Sequence, residues 1–484
     1  MSVGIKAKNK GGENLFRKGN NRSIHRLLLV TAIAVWTLSG LGIATAAPIS
    51  LQAMVDQAKP GETITIPAGK YEGPIRVEHP VVLQAQGTVE IISTGSESVM
   101  TILSDRVTVR GIHIVDTRLN GSNASLVVKG SHNVLERITI ETMGTGIQLR
   151  DAHDNTLREL RVVGKVEDSE QPYYSGGHNH GDQANPTGKD AAKRLVDPVK
   201  KGNGIDLDQS HRNRIVSSSV DNMFDGIYLE NSNFNYIENN RVERSRYGYH
   251  FMGVENMWLL HNTGSQNVTG AMLMETTKAV VRDNRFVKQS DNPNSQGILL
   301  FDVTDSQIVS NRIEGNRVGM YVEKSSGNRF LGNQIKQNFI GMQVRESSEN
   351  VVTKNDFVSN VIQAQAQDSK NNKLDGNYWD NMQGIDLDED GQSNLPYEMN
   401  PFFLALTEAV PPYQLFFQAP GFVFLEGLFT TGSGTTIRDE APLMRPALAQ
   451  MESPEPVQHV ELLGLSTLLI LGTCLNMYVG VRRK

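Results

Sequence analysis

Apolar side chains in this chain follow a short rhythm nested in a long one. After Gly204 the sequence runs Ile205-Asp206-Leu207-Asp208, apolar at the first and third positions, and the same alternation follows Gly226, Gly248, Gly270, Gly297, Gly319 and Gly341. A period of two marks an extended strand with one covered face. The glycines are 22 residues apart except for one step of 27. An asparagine register, Asn240, Asn262, Asn284, Asn311, Asn333, Asn355 and Asn377, keeps the same spacing and the same slip of five. Registers that slip together share one local insertion, placed in the turn Ser290–Asn294, where Pro293 and the asparagines disfavour a strand. A further register, Asn133, Asn155, Asn213 and Asn235, continued by Asn328, Asn350 and Asn372, contains one step of 58, which is one repeat with 36 residues inserted near Lys165 to Lys200.

Twenty-two residues are too few for a helical hairpin, so each repeat predicts one coil of an all-β, single-stranded, right-handed parallel β-helix over residues 47–384. Asparagine suits left-handed bends, and its amide can stack on the asparagine one coil away. Leu51, Met54, Val55 and Ala58 stand at helical spacing and predict a short helix capping the first coil. Alternation sends the first and third residues after each glycine inward. It sends Tyr228/Glu230, His250/Met252, Met272/Met274, Leu299/Phe301, Tyr321/Glu323 and Gln343/Arg345 outward.

Length alone, 484 residues, suggests about three domains; the shared period replaces that expectation with one solenoid. A charged fraction of 21 % and a net charge of -6 argue against a polytopic membrane protein, a disordered chain and a nucleic-acid partner. The lone Cys474 excludes an internal disulfide and multi-cysteine zinc sites. Seven basic residues before Leu27, then an apolar run to Ala47 with Ala44-Thr45-Ala46, read as a signal peptide over residues 1–46, with an uncleaved anchor as the alternative. From Leu462 to Val481, 20 residues carry no charge, enough to cross a bilayer core of about 30 Å. A transmembrane helix over 460–481 with a basic cytoplasmic tip at 482–484 is therefore expected, with a processed sorting tail as the other reading. Both place the body outside the cytoplasmic membrane, periplasmic in a cell with two membranes. Residues 385–459 form a C-terminal arm between solenoid and helix.

Five segments carry a family resemblance: Gly202-Asn203-Gly204-Ile205-Asp206-Leu207, Asp225-Gly226-Ile227-Tyr228, Tyr249-His250-Phe251-Met252, Gly376-Asn377-Tyr378-Trp379-Asp380 and Ala441-Pro442-Leu443-Met444. Together they make residues 50–446 resemble NosD, the periplasmic β-helix accessory protein of nitrous oxide reductase maturation. The resemblance implies a pectin-lyase-like solenoid and a non-catalytic role in copper-site assembly, with nitrous oxide reductase and a membrane ABC transporter as partners. A C-terminal transmembrane helix departs from the family pattern.

The candidate chemistry falls in three places. His250, Met252, Met272 and Met274 lie on two adjacent coils of one outer face, and thioether with imidazole is a soft donor set that favours Cu(I). The same surface continues through Leu299 and Phe301, with Tyr228 on its other side, so it serves equally as a docking patch. His178, His180 and Asp182 in the long insertion offer a second, weaker metal set within a polar loop. Asp386, Asp388 and Asp390 followed by Gly391 have the spacing of a calcium loop; position twelve is Tyr397, so Glu398 would have to supply the last carboxylate. A carbohydrate-active β-helix enzyme, using Asp206, Asp208 and Asp225, and a passive scaffold are the competing functions.

Overall fold

The computed structural model describes residues 50–118, 124–166, 201–289, 295–398 and 438–447. The chain divides into Met1–Ile49 and Ser50–Lys484; only the second unit contains described residues, and it is a right-handed parallel β-solenoid of about 12 coils. A representative coil has a six-residue strand, Asp225–Glu230, and two three-residue strands, Tyr236–Glu238 and Arg241–Glu243. The long strands stack into one 12-stranded parallel sheet, from Ile75–Val77 to Ile362–Gln367. Residues pair at offsets of 22, as in Tyr228 with His250 and His250 with Met272.

The insertions fall where the registers place them. The step of 58 separates Ile147 from its partner Ile205, and the step of 27 separates Met272 from Leu299. Ser290–Asn294 and most of the long insertion, with His178, His180 and Asp182, lie outside the described residues. So do residues 1–46, 460–481 and the basic tip. Among the described residues no helix is long and apolar enough to cross a membrane.

A helix spans Leu51–Gln57, started by Ser50, whose hydroxyl accepts from the Ala53 N–H, and it buries Leu51 and Val55 against the first coils. The inward set is a continuous core: Ile205/Leu207, Ile227/Leu229, Tyr249/Phe251, Ala271/Leu273, Ile298/Leu300, Met320/Val322 and Met342/Val344 are all at most 5 % exposed. The repeating glycine is explained by close approach, since a Cβ on Gly248 would stand 2.6 Å from the Gly270 carbonyl oxygen.

Asparagine stacks as expected but does not occupy the bend. The left-handed residue is the one before it, Asn239, His261, Asp283, Ser310, Gly332, Lys354 and Gly376. The asparagine that follows turns inward and is buried. The Asn311 amide donates to the Val281 carbonyl (2.9 Å) and to Asn333 Oδ1 (3.0 Å), while its own Oδ1 accepts the Asn284 N–H and amide. Each rung satisfies backbone groups that a bend would otherwise leave unpaired.

The last rung comes from far along the chain. Asp439, fully buried, takes the place of the next asparagine: its carboxylate accepts from the N–H groups of Gly376, Asn377 and Ala441, from the Asn377 amide and from Trp379 Nε1. Leu443 pairs beside Tyr378, and Trp379 stacks between Phe357 and Tyr397. The Gly376–Asp380 and Ala441–Met444 segments are thus one closing structure.

Candidate metal site on the long sheet

The long sheet brings the four soft donors into one block. His250 pairs with Met272, Met252 pairs with Met274, and each methionine of the second coil is followed by Leu299 or Phe301 of the next. Parallel strands about 4.8 Å apart and side chains two residues apart put these donors on neighbouring points of one surface. The surface has an apolar middle between two polar flanks. One side carries Arg150, Asp206, Asp208, Tyr228 and Glu230; the middle is Met252, Met272, Met274, Leu299 and Phe301; Tyr321, Glu323 and Arg345 follow. The two tyrosines bounding the apolar coils each donate to a glutamate of their own strand, Tyr228 to Glu230 at 3.0 Å and Tyr321 to Glu323 at 2.9 Å. Burial, then the nearby Glu230 charge, pushes the Tyr228 hydroxyl far above its ordinary pKa, so it remains a donor.

The expected open, shallow patch is not what the side chains form. His250, Met272 and Met274 are only 7 %, 3 % and 6 % exposed, while Met252, Leu299, Phe301 and Tyr228 are half-buried. Rings close over the histidine: Tyr228 and Tyr247 each lie 4.9 Å from it, centroid to centroid. Strand alternation predicts which face a side chain leaves from and says nothing about how neighbouring rings and thioethers cover one another.

Two residues of this site are not identified by alternation. Asp225 lies only 2 % exposed beside His250, and its Oδ2 is 2.8 Å from His250 Nδ1. The same carboxylate takes Nε (2.8 Å) and Nη2 (2.7 Å) of Arg246. The guanidinium is held in turn by two rings, 3.7 Å over Phe224 and 4.2 Å over Tyr247. Burial opposes the charge on Asp225, but the hydrogen bonds from His250 and Arg246 outweigh it and hold the carboxyl below its ordinary range. Asp225 therefore accepts from Arg246, and the same Oδ2 faces His250 Nδ1. His250 Nε2 is buried and has no hydrogen-bond partner among the described residues, a state that costs about 1–3 kcal/mol for an unpaired polar atom. The unpartnered nitrogen, the methionines of the same two strands and the carboxylate on the other side of the ring are together a donor set suited to a soft cation.

Asp206 and Asp208, the other carboxylates considered for catalysis, are tied to Arg150, Asp206 at 2.6 Å and Asp208 at 3.9 Å. Asp206 also accepts from Asn203.

In the arm, the carboxylates of Asp386, Asp388 and Asp390 converge, their ligand atoms within 4.8 Å of one another, and Asp386 Oδ1 has no hydrogen-bond partner among the described residues. The twelfth position does not join them: Tyr397 stacks on Trp379 and donates to Asn381, while Glu398 pairs with Arg438 at 3.3 Å.

The family model of NosD, described as a periplasmic copper-binding protein, matches residues 185–384, as the sequence resemblance implies. Similar solved structures include the mannuronan C-5 epimerase AlgE6 A-module of Azotobacter vinelandii, with 14 % identity, 67 % of this chain and 87 % of that chain covered and a TM-score of 0.45. Others are the family 28 exopolygalacturonase of Yersinia enterocolitica (12 %, 66 % and 74 %, 0.45) and the periplasmic alginate epimerase AlgG (13 %, 68 % and 77 %, 0.40). The comparison with curated proteins returned no match.

Proposed function

We propose, with the NosD match over residues 185–384 as premise, that this chain is a non-catalytic accessory protein that carries Cu(I) during assembly of a copper enzyme outside the cytoplasmic membrane. His250 Nε2, Met252, Met272 and Met274 are the donors. Half-buried Tyr228, Leu299 and Phe301 form the adjoining face on which a partner docks. Nitrous oxide reductase is the client, and an ABC transporter in the membrane is the second partner, both by resemblance. The C-terminal segment 460–481 tethers the body to the membrane.

One observation carries the copper reading: a nine-tenths buried imidazole whose second nitrogen is free stands in cross-strand register with a buried methionine. Thioethers bind Cu(I) and are poor ligands for hard cations, and a site with few strong donors can pass its metal on. Replacing Met252, Met272 and Met274 together with Leu keeps volume nearly constant, so the fold is retained while the sulfurs are lost. Anaerobic Cu(I) titration of the full chain against a chromogenic chelator should show binding by the parent and loss in the triple variant, together with loss of reductase maturation. Equal binding and equal maturation by both proteins would reject these sulfurs as ligands.

A further inference from the structure

We infer that Asp225 and Arg246 are positioning residues that fix the His250 imidazole in its Nδ1–H form, so that Nε2 is presented as a ready lone pair; the inference rests on the copper reading above. Three donors converge on one carboxylate: His250 Nδ1 and both Arg246 Nη2 and Nε lie within 2.8 Å of its oxygens. Arg246 has no acceptor atom, so Asp225 must accept from it. The oxygen shared by Arg246 Nη2 and His250 is thereby an acceptor, and the neutral imidazole can meet it only by donating from Nδ1. Among the described residues Nε2 is buried without a hydrogen-bond partner, so no acceptor there draws the proton away from Nδ1.

The supports are themselves immobilised. Arg246 lies across Phe224 and Tyr247, and Tyr247 also meets His250 edge-on at 76° between ring planes. The pair of Asp225 and Arg246 adds no net charge, so the site offers neutral donors in front of a balanced ion pair. A carboxylate that orients a metal-binding histidine through its other nitrogen raises ligand basicity, and its loss costs about 10–100-fold in metal affinity.

Asp225→Ala is the decisive variant. It removes the oxygen that Arg246 Nη2 and His250 Nδ1 share, so nothing then holds the proton on Nδ1. The measurement is the two-bond nitrogen–proton correlation spectrum, recorded at about pH 8 where an ordinary imidazole is neutral, of metal-free full chain labelled with 15N-histidine, with His250 identified from a His250→Gln variant. The parent should show the Nδ1–H form, Asp225→Ala should move toward Nε2–H, and Cu(I) affinity against bicinchoninate should fall about 10–100-fold. Nε2–H in the metal-free parent, or unchanged Cu(I) affinity in Asp225→Ala, would overturn the inference. The parent spectrum decides the point even where Asp225→Ala does not fold. Failure of the copper reading registers elsewhere, as equal Cu(I) binding by the parent and the triple leucine variant, and leaves the tautomer result standing.

Discussion

Asp439→Asn should unfasten the C-terminal coils while leaving the middle of the solenoid intact. The carboxylate receives five donors: Oδ1 takes the Gly376 and Ala441 N–H groups, and Oδ2 takes the Asn377 N–H, the Asn377 amide and Trp379 Nε1. An asparagine in the same rotamer keeps one acceptor and turns an NH2 toward the remaining donors. In the better orientation the amide nitrogen replaces Oδ1, which strands two N–H groups. At about 1–3 kcal/mol for each buried donor left unpaired, the local loss is about 2–6 kcal/mol. Coils contact only their neighbours, so the loss is felt as fraying at that end. At 1.4 kcal/mol per decade it corresponds to roughly 30- to 20,000-fold faster amide exchange. Hydrogen exchange read by mass spectrometry should show that acceleration over Lys373–Asp380 and none over Tyr236–Glu243. Unchanged exchange over Lys373–Asp380 would refute the assignment of Asp439 as the last rung.

Three further outcomes are expected. Saturating calcium should raise the melting temperature of the full chain, by the equivalent of about 2.7 kcal/mol at a hundredfold excess over the dissociation constant, and Asp386→Asn with Asp388→Asn should abolish the rise; a melt insensitive to calcium would argue against the loop. His211 stacks on His153 with centroids 5.1 Å apart, and burial, then the His153 charge, lowers its pKa. The unfolded chain therefore takes up this proton first, and stability falls as pH drops below about 6.5; His211→Gln should flatten that slope in urea midpoints measured from pH 7 to 5. Gly248→Ala should cost about 1–3 kcal/mol, because its Cβ would meet the Gly270 carbonyl oxygen, whereas Gly95→Ala, with nothing within 4 Å, should be neutral; equal melting of the two would contradict the close-approach account.

The coil was legible because its signals are local or strictly periodic. Alternation at Ile205/Leu207 and its counterparts identified the buried face, and the common slip of the glycine and asparagine registers located the insertion. The site was legible only as a set of positions. His250, Met252, Met272 and Met274 are brought together in register, but their covering by Tyr228 and Tyr247 depends on ring orientation, which no period encodes. Asp225 was hidden for a sharper reason. Asp225 pairs with Tyr247 and Ile227 with Tyr249, while the glycines between them are absent from the ladder. Asp225 meets His250 on the outer side of the sheet, while Ile227, two positions on, lies in the core, so simple alternation does not hold across Gly226. Asp439 escaped because it stands 62 residues from Asn377, outside any repeat. The left-handed bends fell one residue before the asparagines because each asparagine amide serves the core rather than the turn.

The central claim is that soft donors on the long sheet hold Cu(I). Copper K-edge X-ray absorption on the full chain, loaded anaerobically with one equivalent of Cu(I), tests it most directly. The account predicts a shell of sulfur with nitrogen, losing its nitrogen component in His250→Ala and its sulfur component when Met252, Met272 and Met274 are all replaced by Leu. A shell of oxygen and nitrogen alone, or a spectrum unchanged by both variants, would contradict it.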